Sequence, residues 1–208
     1  MEEVELRTMS HTEDGSTGLE VVGTAAQPEA ELLGSSADSA KKPAGILIGT
    51  AGVYFVASQL AARGFHAAVT FGNAPYIDLL VSLPDASASA SVQVKTAHRA
   101  LRMKGRGDNR QPYQYQWAMG QHSALHHRAD LFFALVDLRG VSDRLPDVFI
   151  VPSDVVAKYF DWGYFKDPTK KRWWRYHPKY ESMQPYKNNW GLLQEYLESK
   201  MGNGEGPP

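Results

Sequence analysis

The sequence contains no cysteine. Disulfide scaffolds and thiolate zinc sites are therefore excluded, and a reducing, cytoplasmic setting is the expectation. Long apolar runs are also missing. The strongest, residues 131–138, falls far short of the roughly 20 residues that a membrane helix needs. The chain does not open on a basic segment followed by an apolar one, so no signal peptide is expected. It holds no GxGxxG sequence and no Walker A loop, which leaves a nucleotide cofactor without support. It has no nucleophile elbow, and Ser153 is read as a helix N-cap, so a serine-triad hydrolase is unsupported. One further scarcity is local. No Asp or Glu occurs between Asp38 and Asp78.

The rest of the composition is that of a globular protein, with 43% hydrophobic and 22% charged residues among 208. The length fits one domain with tails. The net charge of −1 conceals an asymmetry. Residues 1–43 carry nine acids and three bases, whereas residues 44–208 carry fourteen acids and nineteen bases. The first stretch is rich in Glu, Ser, Gly, Thr and Ala. It buries too little apolar surface to offset its ordering entropy and reads as a disordered acidic leader. Residues 201–208 read as a disordered tail. The folded remainder is mildly basic, which permits a polyanionic partner without requiring one.

Periodicity places the elements. Val53, Val56, Ala57 and Leu60 fall at i, i+3, i+4 and i+7, one face of a helix over residues 48–63, with Gly64 as its left-handed C-cap. Strands follow at residues 66–71, 77–83 and 90–96, joined by turns at 72–75 and 84–89. Residues 97–112 are basic, poorly periodic and read as a loop. Residues 113–128 read as a helix. Strands at 131–138 and 147–151 come next, the first apolar enough to be buried on both faces. A short helix opens at Ser153, and Asn188 or Asn189 is expected to cap a last one ending near Lys200. The order α-β-β-β-α-β-β-α gives an α/β domain over residues 44–200, its central mixed sheet flanked by helices.

Within that order, Asp78 opens a strand, and Gln93-Val94-Lys95 lies on its hairpin partner. Phosphodiester hydrolysis needs a metal to polarise the phosphate, acidify an attacking water and stabilise the leaving oxygen. Magnesium prefers hard oxygen ligands. An acid on one strand and an oxygen donor on the next would share such an ion. A lysine two residues after that donor lies on the same strand face and would orient water or neutralise developing charge.

Residues 51–57, Leu60, Gly64-Phe65, 73–81 and Val92-Gln93-Val94-Lys95-Thr96-Ala97 together resemble the PD-(D/E)XK nuclease superfamily, the restriction-endonuclease-like fold. They are nearest to small bacterial members whose motif strand reads QVKT. The resemblance implies a restriction-endonuclease-like core and DNA as substrate. It implies Asp78, Gln93 and Lys95 as the catalytic set, with Mg2+ or Mn2+ held by Asp78, Gln93 and the Val94 carbonyl. Two positions depart from the pattern. Gln93 stands where the motif is usually acidic, and Val53 stands where many members carry a helical Glu.

Arg99, Arg102, Lys104, Arg106 and Arg110 follow the motif strand and are candidates for phosphate contacts. A solvated loop is the competing reading. Lys166, Lys170, Lys171, Arg172, Arg175 and Lys179 surround Trp173, Trp174 and Tyr176 in an aromatic, basic region at residues 161–187. A satellite core is the more economical account of those aromatics than base stacking. His122 and His126 have the i, i+4 spacing of a metal pair, but a structural or exposed role is favoured. The expectation is a Mg2+-dependent endonuclease acting on DNA, with no membrane partner. The oligomeric state is left open, a homodimer included. The alternatives are a nucleic-acid-binding module with a degenerate site, and a protein-interaction domain.

Overall fold

The computed structural model describes residues 43–70, 76–140, 142–161 and 174–201, all within one compact unit, Lys42–Pro208. The expected leader, the tail, the turn at 72–75 and the bases Lys166, Lys170, Lys171 and Arg172 lie outside the described residues. Among the described residues, no helix is long and apolar enough to cross a membrane.

The fold is mixed α/β. Helix α1 (Gly45–Ala61) leads into β1 (His66–Val69), β2 (Leu79–Ser82) and β3 (Ser89–Ala97), which pair antiparallel in succession. Gly64 ends the helix with φ +87°, a conformation that costs glycine little. Strand β7 (Leu131–Asp137) then lies parallel to β3, and β8 (Asp147–Pro152) returns antiparallel to β7. The central sheet therefore has the order β1-β2-β3-β7-β8 and is mixed, as the element pattern required. All seven residues of β7 are buried, as expected for a strand covered on both faces.

The two faces carry different cores. Val56 and Leu60 of α1, with Leu193 and Leu197 of the last helix, pack on Val81, Val92, Val94, Val136 and Ile150. On the opposite face, Phe133, Leu135, Phe149 and Val151 meet Tyr115, Trp117, Phe160, Tyr176 and Met183. That second cluster is the satellite aromatic core anticipated for the C-terminal third. Trp174, Tyr180 and Tyr186 pack against its edge.

Several boundaries differ from the sequence expectation. The expected loop at 97–112 contains a hairpin, β4 (Arg102–Lys104) and β5 (Gln111–Gln114), joined through a 3-10 turn at Gly107–Asn109. The expected helix at 113–128 is mostly extended. It comprises the end of β5, then β6 (Trp117–Ala118), and only one short helix, α2 (Gln121–Leu125). The reason is a period of two. Tyr115, Trp117 and Met119 are buried at alternate residues, and Gly120 with φ +76° breaks the chain before α2. Strand β6 pairs with β9 (Arg175–Tyr176), a partner about sixty residues away that local pattern could not supply.

Helix α3 (Ser153–Phe160) begins where expected, but Ser153 does not cap it. Its Oγ accepts the Arg128 N–H and donates to the Arg128 carbonyl, tying α3 to the segment before β7. A short helix α4 (Tyr180–Met183) precedes α5 (Gly191–Met201). The expected asparagine caps of α5 have other partners. The Asn189 amide donates to Pro185 O, and Asn188 Oδ1 accepts the Val148 N–H.

Candidate active site

Strand β3 organises the site because its side chains alternate. Ala90, Val92 and Val94 enter the core under α1. Ser91, Gln93 and Lys95 therefore project from the other face. Asp78 precedes β2 by one residue, and its N–H donates to Val92 O outside the regular β2–β3 register. Its Oδ2 accepts the Val94 N–H at 2.7 Å. The carboxylate thus takes the place of a β2 carbonyl on β3, at the residue between Gln93 and Lys95. A hydrogen bond to an ionised acceptor of this kind contributes about 1.5–3 kcal/mol.

The expected triplet is therefore brought together. Lys95 lies close enough to Asp78 to feel its charge. Burial holds the Lys95 ammonium below its ordinary pKa of 10.5, and the attraction of Asp78 only partly offsets that. Gln93 is buried, and its Oε1 has no hydrogen-bond partner among the described residues. Among the described residues Asp78 Oδ1 has none either. Both oxygens lie on the same side of the sheet as the half-buried Lys95. Val94 contributes its N–H to Asp78 while its side chain stays in the α1-side core. Among the described residues no group of three His, Cys, Asp or Glu converges, so Asp78 is the carboxylate on which such a site would rest. Val53 packs against the aliphatic cluster under α1, on the face away from Gln93 and Lys95.

Two neighbours of the site were not singled out by sequence reasoning. Tyr76, two residues before Asp78, stacks on His126 with ring centroids 4.2 Å apart and planes 18° apart, and lies 6.4 Å from His122. Its φ of +70° is costly for an aromatic residue, about 1–2 kcal/mol, and the stacking holds it there. The two histidines thus pack on a tyrosine, in keeping with a structural role, and His126 also lies near enough to Asp130 to help lower its pKa. The sequence separation of 50 between Tyr76 and His126 hides this contact from any local pattern. The second neighbour is Asp137 at the end of β7. It is buried, and its carboxylate accepts the N–H groups of Ala100, Leu101 and Arg139 at 2.9–3.1 Å. It fixes the chain that leaves β3, and with it the position of the basic residues.

Those bases separate into two groups. Lys104, Arg106 and Arg110 are exposed on the β4–β5 hairpin, with the Lys104 ammonium 5.5 Å from the Tyr113 ring centroid. Arg99 and Arg102 instead line a pocket of about 280 Å³ at the end of β3. Another pocket, about 310 Å³, is lined by Leu125, His127, Asp154 and Lys158 and includes none of the candidate catalytic residues. Asp154 and Lys158 pair there at 2.9 Å.

No protein-family model matches this chain, and no curated protein matches it. Among solved structures it is similar to a bacterial homing endonuclease, I-Ssp6803I. The TM-score is 0.49 and the identity 14%, over 77% of this chain and 100% of that one.

Proposed function

We propose that this protein is a metal-dependent nuclease of the PD-(D/E)XK type that hydrolyses phosphodiester bonds in DNA. The observation that carries the reading is the Asp78 carboxylate on the Val94 N–H, beside the half-buried Lys95 and the buried Gln93 Oε1, which has no partner among the described residues. Asp78 Oδ1, Gln93 Oε1 and the Val94 carbonyl would hold the ion. The ion would supply Lewis acidity and an acidified water. Gln93 adds no charge, so binding of the ion would lean on one aspartate. The lowered pKa of Lys95 brings it nearer to a proton-accepting role at alkaline pH, and in its charged form it would stabilise the developing negative phosphate. Arg99, Arg102, Lys104, Arg106 and Arg110 would position the phosphate backbone.

A second reading follows from the single carboxylate. With no cluster of three acidic or imidazole ligands among the described residues, the same architecture would serve as a DNA-binding module without cleavage. One assay separates the two. Single- and double-stranded DNA are incubated with Mg2+ or Mn2+ and wild type, Asp78→Ala or Lys95→Ala. Metal-dependent cleavage that both substitutions abolish supports the nuclease. Salt-sensitive binding without cleavage supports the module. Neither activity removes both and leaves a protein-interaction role.

A further inference from the structure

A pocket of about 280 Å³ lies at the end of β3. Among the described residues, every charged side chain that lines it is a base, with Arg99, Arg102 and Arg175 arriving from three separate segments. Arg99 follows β3, Arg102 opens β4 and Arg175 opens β9. Gln116 and His98 add polar side chains to its wall.

Two of the arginines are held in place by neutral partners. The Arg99 guanidinium lies over Gly140, so close that a Cβ there would come within 2.8 Å of its Cζ. Gly140 has φ +82°, and its N–H donates to His98 O at 2.7 Å, which fixes this platform against the loop. Arg102 Nε donates to Gln116 Oε1 at 3.0 Å. The described ion pairs of the molecule engage Arg128, Arg139, Lys158 and Lys187, and neither Arg99 nor Arg102. The positive charge of these two guanidinium groups is thus oriented but not neutralised by a described carboxylate.

The backbone reinforces the same sign. Gly45 and Ile48 bring the first turn of the 17-residue helix α1 to the pocket, and that turn has neither a side-chain cap nor an acidic residue. Its unpaired N–H groups carry the positive end of the helix dipole. Thr96 also belongs to the wall, though its Oγ1 is turned under Gly52 of α1. His177, near Arg102 and Arg175, is held below its ordinary pKa, chiefly by burial and further by these two charges.

We infer that this pocket is a phosphate subsite that grips the nucleic-acid backbone beside the reaction centre. Guanidinium groups match phosphate oxygens in pairs, and a helix N-terminus adds backbone donors. The pocket wall begins one residue after Lys95, and His98 lies three residues along, roughly 10 Å at strand rise. About three nucleotides of one duplex strand advance by the same distance. The inference rests on the nucleic-acid reading of the preceding section. It selects Arg99 and Arg102 from the five basic candidates and adds Arg175 and the start of α1.

The test measures binding rather than cleavage. Full-length protein in an Asp78→Ala background is titrated against a short fluorescent DNA duplex without divalent metal, at several salt concentrations. Inorganic phosphate and a mononucleotide are tested as competitors. The variant is Arg99→Gln/Arg102→Gln, and both side chains are exposed enough that thermal unfolding should show an intact fold. The expected result is a salt slope smaller by about two and an affinity lower by about tenfold or more. Gly140→Ala, which displaces the Arg99 guanidinium without removing its charge, should weaken binding in the same direction. Unchanged DNA binding in the double variant overturns the subsite while leaving the nucleic-acid reading intact. Arginine-dependent binding of free phosphate or mononucleotide that the duplex does not displace overturns the backbone assignment. Absence of binding to all three probes overturns both the subsite and the reading on which it rests.

Discussion

Strand β3 has two faces with opposite chemistry. Toward α1 it presents Ala90, Val92 and Val94, closed over by Val56, Leu60 and Leu193. On the other face it presents Ser91, Gln93 and Lys95, where Gln93 is buried with an unsatisfied oxygen and Lys95 is a partly buried cation. The first face is packed with apolar side chains except at Thr96, whose Oγ1 is also buried without a partner among the described residues. The second retains polar groups that a stability optimum would remove, because a buried acceptor without a partner costs about 1–3 kcal/mol. Such a cost is retained where the exposed chemistry has a use. The proposed site uses the polar side of that strand.

The largest expected effect breaks the polar face at its carboxylate. Asp78→Ala should lower metal-dependent DNA cleavage by about a hundredfold or more, as loss of a group at the reacting centre does. It should also lower the melting temperature by leaving the Val94 N–H without its acceptor. Asp78→Asn keeps that acceptor, so it should lose cleavage while retaining most of the stability. Single-turnover cleavage and thermal unfolding read the two losses separately.

The aliphatic face is broken by filling it. A Cβ on Gly52 would lie 2.9 Å from Thr96 Cβ and collide with Thr96 Oγ1. Gly52→Ala should destabilise by about 1–3 kcal/mol through overpacking of α1 on β3. Combining it with Thr96→Ala should recover part of that loss, a coupling that denaturant unfolding of the double-mutant cycle measures.

Replacing Gln93 sharpens the contrast in the opposite direction. Gln93→Met removes the orphaned Oε1 at similar volume and should raise stability by about 1 kcal/mol while reducing activity. Gln93→Glu restores a charged ligand and should lower the metal concentration needed for half-maximal cleavage. A stability loss in Gln93→Met would mean that its amide is satisfied and the face is an ordinary core.

The smallest effect concerns Lys95. Burial lowers its folded pKa, so the native state binds this proton less readily than the unfolded chain. The resulting penalty is full below the lowered pKa and fades as pH rises toward 10.5. Lys95→Met should therefore raise the melting temperature at neutral pH, with an advantage that shrinks as the pH is raised toward that value. A constant or growing advantage would place the ammonium in solvent.

Legibility in the sequence followed the length scale of each feature. The α1 face, the three antiparallel strands and the buried β7 were readable, because each is a local period of apolar residues bounded by Gly, Pro or Asn. Asp78, Gln93 and Lys95 were readable as a set because a hairpin brings near neighbours together and strand alternation puts Gln93 and Lys95 on one side. The segment at 113–128 was misread as a helix. Tyr115 and Trp117 are held extended by Tyr176 and Phe149, partners that come later in the chain. The basic segment after β3 was read as a loop because the carboxylate that orders it, Asp137, is 36 residues from Leu101.

By itself the sequence determined an α/β domain, its sheet-forming segments and the residues on the polar side of β3. Side-chain alternation and hydrophobic period act over a few residues and need no distant partner. Only the tertiary structure decided that Asp78 bonds β3 through its side chain, that Tyr76 docks on His126, and that Arg175 joins Arg99 and Arg102 beside the start of α1. Each of those depends on which distant segments share a sheet edge, and chain topology sets that, not local composition.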